Sequence, residues 1–185
     1  VTRIITGSAG GRSLRVPPTG TRPTSDRVRE ALFSRIDALI DILGARVLDL
    51  YAGSGAVGFE AASRGASRVD LVDNSDKASR VITDNLTSLI AALPNTVVNN
   101  HRTTALGFLE STTETWDIVF LDPPYDTPNT EVEAVIAALV SKLAPDALVA
   151  VERSARDAEP RWPAGVERLN PKTYGETTLY WLSAE

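Results

Sequence analysis

The chain has no cysteine and a single histidine, His101. The first absence removes disulfides, thiolate metal sites and any cysteine nucleophile. The second removes a histidine metal cluster and any triad built on an imidazole base. His101 itself sits alone in a strand-like segment and is assigned no role. No apolar run approaches the length of a membrane span, and no charged-then-apolar segment opens the chain as a secretory signal would. The expected setting is therefore cytoplasmic, with no membrane and no metal, and a monomer is the default assembly. The remaining chemistry must come from carboxylates, backbone groups, arginines or a bound cofactor.

At 185 residues, 43% hydrophobic and 23% charged, the composition fits one α/β-sized domain with a full core. A net charge of −5 argues on average against a nucleic-acid partner, but its distribution argues the other way. Residues 1–36 hold seven arginines (Arg3, Arg12, Arg15, Arg22, Arg27, Arg29 and Arg35) against Asp26 and Glu30, a net of +5. The remainder carries a net of −10. A basic arm on an acidic body suits a phosphate partner, and the planar arginine fork suits phosphate and base edges alike. The competing reading is a solvated arm with no partner.

"RIITGSAGGRSLRV" alternates short β-type runs with a glycine-rich turn and predicts a hairpin, followed by the rigid link "PPTGTRP". In "TSDRVREALFSRIDALIDIL" the apolar residues Val28, Leu32, Phe33, Ile36, Leu39, Ile40 and Leu43 have helical spacing. Thr24 or Ser25 would cap this helix and Gly44 would end it. From there strands and helices alternate. "RVLDLY", "RVDLVD", "TVVNNHR", "WDIVFLD" and "ALVAVERS" read as strands separated by helical segments, one of them running from about Asp76 to Leu93. The alternation predicts a mostly parallel sheet covered on both faces, with "VERLNPKTYG" and "TTLYWLS" as an antiparallel pair added at its edge.

"VLDLYAGSGAVGFEAA" places Gly53, Gly55 and Gly58 between a strand and a helix, and Asp73 follows twenty residues after Gly53. That is the dinucleotide fingerprint, with Asp73 placed to bond ribose hydroxyls. Alone it is compatible with NAD. Asp49, four residues before the glycines, turns the reading, because a carboxylate there would repel a pyrophosphate. It suits a cofactor that carries cationic groups and no phosphate, and S-adenosylmethionine (SAM) is such a molecule.

The segment "DLYAGSGAVGFEA" resembles motif I of class I SAM-dependent methyltransferases, and "DPPY" resembles their amino-methyltransferase motif. With "RPTSDRVREALF" at 22–33 and "YGETTL" at 174–179, the whole chain is similar to the bacterial 16S rRNA (guanine(966)-N2)-methyltransferases of the RsmD family. The resemblance implies an α/β, Rossmann-like methyltransferase fold. Its seven-stranded sheet would be mostly parallel with an antiparallel last strand, and an N-terminal β-hairpin would precede it. Residues 1–24 would form the basic hairpin and linker, and 25–185 the methyltransferase domain. The implied reaction is methyl transfer from SAM to a guanine N2 amine in 16S rRNA, on naked RNA or on an assembling 30S subunit.

The same resemblance implies a cofactor site of Asp49, Tyr51, Ala52, Gly53 and Gly55 from motif I, Asp73 and Asn74 after the next strand, and Thr104 with Ala105. Two of these depart from the family pattern. Asp73 stands where Glu is frequent, and Thr104 where an acidic or amide residue usually meets the adenine.

An exocyclic amine is a poor nucleophile because its lone pair is delocalised into the ring. Two acceptors aimed at its hydrogens would turn it towards sp³ character, and the expected pair is the Asp122 carboxylate and the Pro123 carbonyl. Pro123 and Pro124 stiffen the segment beforehand, and Tyr125 offers a face for the base to stack on. The base must leave its stack to reach such a site. Arg12, Arg22, Arg27 and Arg29 are the expected RNA contacts. The rivals are a DNA amino-methyltransferase, a protein glutamine methyltransferase, which would carry "NPPY", and a non-catalytic nucleotide-binding module.

Overall fold

The computed structural model describes residues 2–17 and 25–185. Residues 18–24, which hold all of the link "PPTGTRP" after its first proline, with Arg22, and the alternative cap Thr24, lie outside the described residues. A short hairpin of β1 (Thr2–Arg3) and β2 (Ser13–Leu14) precedes α1 (Asp26–Leu39). The sheet strands are β3 (Arg46–Leu50), β4 (Arg68–Asp73), β5 (Val97–Arg102), β6 (Trp116–Leu121), β7 (Leu143–Ser154), β8 (Val166–Tyr174) and β9 (Thr177–Ala184). The helices between them are α2 (Ala56–Ser63), α3 (Asp76–Leu89), α4 (Ala105–Ser111) and α5 (Asn129–Val140).

The spatial order is β5-β4-β3-β6-β7-β9-β8. Strands β3 to β7 run parallel, and β9 runs antiparallel to both of its neighbours, β7 and β8. The expected antiparallel last strand is present, but the terminal hairpin is not simply laid at the edge with its strands in chain order. β9 is inserted between β7 and β8. Between β3 and β6 the winding reverses direction, and ligands of open α/β sheets bind outside the strand ends at such a reversal.

Side-chain alternation along the strands separates two cores. On one face Val47, Val69, Leu71, Ile118, Phe120 and Trp181 pack against α1, α2 and α3. On the other Leu48, Leu50, Val119, Val149 and Leu182 pack against α4 and α5. His101 belongs to the second face. It lies 2.9 Å from the buried Asp70, which also accepts from Trp116 Nε1 and Asn99 Nδ2.

Ser25 caps α1 by accepting from the Val28 amide, and Val28, Leu32, Phe33 and Ile36 form its buried stripe. The helix ends at Leu39, earlier than the expected stop at Gly44. The carboxylate of Asp41 accepts from the Leu43 amide, a local bond that competes with helix continuation. Ile42 therefore enters the core, while Leu39 and Leu43 are 51% and 73% exposed. The helix expected up to Leu93 likewise stops at Leu89 and tightens into a 3₁₀ turn at Ile90–Ala92 before Pro94.

The hairpin docks on α2 rather than standing apart. Ile4, Ala9 and Leu14 belong to the core beneath α1 and α2. The buried Glu60 carboxylate accepts the Ile5 amide at 2.7 Å and the Thr6 amide at 3.1 Å. Ser63 Oγ accepts from the Ala9 amide and donates to the Thr6 carbonyl.

Candidate active site

The loop after β3 begins with a backbone reversal. Tyr51 has φ of 64°, a left-handed conformation that costs a non-glycine residue energy and is characteristic of functional sites. The Ala52 amide then reaches back to the Val72 carbonyl, and the Gly53 amide donates to Asp73 Oδ2 at 2.9 Å. Asp73 Oδ1 accepts the Ser75 amide. One carboxylate thus fastens the glycine loop to the end of β4. Gly58 is required for space: a Cβ there would lie 2.2 Å from Leu71 Cδ2.

A cleft of about 260 Å³ opens beside this loop. Of the expected cofactor residues, Tyr51, Asp73, Asn74, Thr104 and Ala105 line it. Asp49, Ala52, Gly53 and Gly55 do not line it; they shape the turn behind it. Thr104 caps α4 by accepting the Gly107 amide, so the residue that departs from the family pattern performs a helix-capping task at the cleft's lip. Glu131, on the first turn of α5, lines the opposite wall and was not singled out by the sequence. Burial, with Glu131 nearby, pushes the Tyr51 phenol up to about 12.

Asp49 is buried and accepts the Gly58 amide at 2.9 Å, which ties β3 to α2. Burial pushes its carboxyl up to about 7 against that hydrogen bond, and the charges of Asp122 and Asp73 add to the rise. Asp122 follows β6 and is half-buried; its amide reaches the Leu50 carbonyl at 3.4 Å. Pro123 is buried, whereas Pro124 is exposed and accepts the Thr127 amide at 2.9 Å, closing a turn. Tyr125 projects from that turn, 43% exposed. Arg153, buried at the end of β7, donates to the Thr127 carbonyl and to Asn129 Oδ1, so the far end of the turn is anchored as well. Nothing in the local pattern of "AVERS" marked Arg153 for this duty.

A second, wider pocket of about 540 Å³ is lined in part by Tyr125, Arg27, Glu152, Tyr174 and Thr177. The "YGET" segment supplies the two-residue turn from β8 to β9, with Gly175 at φ of 60°. Tyr125 Oη lies 3.3 Å from Thr177 Oγ1, which donates to Glu152 Oε1 at 3.5 Å. Tyr125 thus lines the broad pocket, and Asp122, three residues before it, adjoins the end of β3 where the glycine loop begins. Among the described residues no group of three or more His, Cys, Asp or Glu side chains could hold a metal ion, and no helix is long and apolar enough to cross a membrane.

The expected RNA-facing arginines separate. Arg27 is exposed at the pocket rim and Arg12 is exposed on the hairpin, while Arg22 lies outside the described residues. Arg29 is a correction. Its side chain is 0% exposed and donates to the Arg3 carbonyl and to Asp26, so it joins helix to hairpin and offers no RNA contact. The sequence carried the signal, because Arg29 shares the helical stripe of Leu32, Phe33 and Ile36.

Comparison with known proteins gives the same placement. The family described as "Conserved hypothetical protein 95" matches residues 2–183. The "Ribosomal RNA small subunit methyltransferase D" of Escherichia coli K12 is 37% identical over 186 residues, covering 99% of this chain and 91% of that protein. The solved structure "Putative methyltransferase yhhF from Escherichia coli" superposes with a TM-score of 0.86 at 33% identity, over 100% of this chain and 98% of that one. A SAM-bound magnesium protoporphyrin IX methyltransferase from Synechocystis shares the fold alone. It has a TM-score of 0.67 at 16% identity, over 92% of this chain and 88% of that one. With its sheet order, its glycine loop and these relatives, the chain is a member of the Conserved hypothetical protein 95 family, the RsmD family that its motifs resemble.

Proposed function

We propose that this protein transfers a methyl group from SAM to the exocyclic N2 amine of a guanine in small-subunit ribosomal RNA. The observation that carries the reading is that Asp122 leaves β6 beside the end of β3, where its amide meets the Leu50 carbonyl just before the glycine loop, while Tyr125 of the same segment lines the wide pocket. The named E. coli relative, a ribosomal RNA small subunit methyltransferase, supports the RNA substrate.

The donor set fits SAM. Asp73 faces the cleft for ribose hydroxyls, and the buried Asp49, whose carboxyl is pushed up to about 7, would be ionised by the approach of the cationic end of the ligand. The segment from Thr104 to Leu106 forms the wall against the adenine. When bound, SAM supplies an electrophilic methyl group on its sulfonium. The chain's own contribution is to the nucleophile. Asp122 and the Pro123 carbonyl accept the two amine hydrogens and direct the nitrogen lone pair out of conjugation. Because the turn is closed at Thr127 and anchored by Arg153, those acceptors need no reorganisation when the base arrives. Tyr125 stacks on the base, worth about 1–3 kcal/mol, and Asp122 holds the proton released after transfer. Arg12 and Arg27 are the exposed cations placed for RNA phosphates.

The test uses small-subunit rRNA from a strain lacking this protein, incubated with methyl-labelled SAM and then digested to nucleosides. Label is expected in N2-methylguanosine, and Asp122→Ala should abolish it while SAM affinity stays within a few fold. Label in another nucleoside, or binding of NAD with no binding of SAM, would overturn the reading.

A further inference from the structure

Guanine alone among the four RNA bases presents two adjacent donors on its Watson–Crick edge, the ring N1–H and the N2 amine. Adenine and cytosine place an acceptor lone pair beside their amine, and uracil has no amine. A flipped base is read on this edge, so a guanine-selective site requires a second acceptor next to the one that holds the amine.

The sheet supplies one. In the β6–β7 register Leu121 pairs with Val151, so Asp122, the first residue beyond β6, and Glu152, the next residue of β7, follow side by side on adjacent parallel segments. Phe120 and Ala150 point to the face that carries α1. Two residues on, alternation brings Glu152 back to that same face, and Asp122 lies near enough to Asp49, the partner of Phe120 in β3, for their charges to interact. Adjacent strands are about 4.8 Å apart, close enough for two carboxylates to address neighbouring atoms of one base. Glu152 is half-buried and lines the wide pocket with Tyr125 and Thr177. Thr177 sits opposite Ser154 on the inserted strand β9, and its hydroxyl donates to Glu152 Oε1 at 3.5 Å.

The geometry points to Glu152 as the residue that selects guanine, by accepting its N1–H while Asp122 accepts the amine; this rests on the function proposed above. Against adenine or cytosine the same carboxylate faces a lone pair, a repulsive contact that excludes the wrong amine. Sites that hydrogen-bond a substrate donor reject analogues lacking it far more strongly than apolar pockets reject a missing methylene. Asp122 alone would take any exocyclic amine. Glu152 makes the site read the ring.

The probe is a small-subunit rRNA fragment spanning the methylated guanosine, carrying either guanosine or 2-aminopurine riboside there. 2-Aminopurine keeps the amine, replaces N1–H by a lone pair and lacks the 6-oxygen, so the change of substrate ratio in a Glu152 variant isolates the N1 contact. The wild type should methylate it with a kcat/KM about 100-fold or more below that for guanosine. Glu152→Gln, whose amide can donate to the lone pair, should lose about 100-fold on guanosine and bring the two substrates within about tenfold of each other. Glu152→Asp keeps the charge and should keep the preference at a lower rate. SAM affinity and melting temperature report whether each variant folds.

Wild-type protein inactive on the guanosine fragment would overturn the proposed function itself. Wild-type protein active on guanosine but equally fast on 2-aminopurine would overturn only the assignment of Glu152. A folded Glu152→Gln variant with the wild-type substrate ratio would overturn it too.

Discussion

Glu60→Gln tests whether the hairpin is held by one buried carboxylate. The side chain is the same size, so no cavity forms. In the native protein the Ile5 amide goes to Oε2 at 2.7 Å and the Thr6 amide to Oε1 at 3.1 Å, and Arg64 Nε donates to Oε1 at 2.9 Å. An amide keeps one acceptor oxygen and turns an NH₂ group towards the other backbone N–H. One donor then faces a donor, at a cost of about 1–3 kcal/mol. The surviving bonds lose their charge assistance, for about 1 kcal/mol more. The expected loss is about 2–4 kcal/mol, which for a domain of this size lowers Tm by about 5–15 °C. Urea unfolding and calorimetry measure both quantities, and protease cleavage within residues 2–17 should rise in parallel. A variant within about 0.5 kcal/mol of wild type, with an equally resistant hairpin, would show that apolar packing of Ile4, Ala9 and Leu14 holds the hairpin alone.

Three further expectations concern the site. Asp49, whose folded carboxyl lies near 7 against an ordinary value of 3.8, keeps its proton in the folded state and loses it on unfolding between those values. Its contribution is thus fully present below pH 3.8 and lost as pH rises towards 7, at about 1.4 kcal/mol per pH unit. Asp49→Asn should remove that slope in denaturant titrations between pH 5 and pH 7. Gly58→Ala should cost about 1–3 kcal/mol by overpacking against Leu71, read as a lower Tm. Arg153→Lys should lower kcat about tenfold or more by loosening the turn that carries Tyr125, with SAM affinity unchanged by calorimetry.

Features set by neighbouring residues were legible in the sequence. The strand-helix alternation, the Ser25 cap, the glycine loop and the "DPPY" turn each depend on spacing within a few positions, and each appears where expected. What escaped depends on residues far apart in the chain. The Glu60 contacts span more than 50 positions, so charge made the hairpin look like a free arm. Glu152 reads as an ordinary polar residue ending a strand; only the register with β6 places it beside Asp122. The early end of α1 was set locally, by the Asp41 turn, but a continuing apolar period hid it. The same period explains Arg29, a charge counted towards the arm although its position lies on the buried stripe.

The insertion of β9 between β7 and β8 bears on when the protein becomes competent during synthesis. β8 leaves the ribosome before β9, yet among the described residues it pairs only with β9, so it must wait unpaired. Thr177 and the turn that carries Tyr174 and Gly175 wait with it. The parallel strands β3 to β6 and the glycine loop can assemble earlier, because their partners are already translated. A nascent chain therefore completes the cleft beside the glycine loop first and the wide pocket last. On the proposed function, each newly made copy would be blind to RNA bases until β9 has threaded into the sheet.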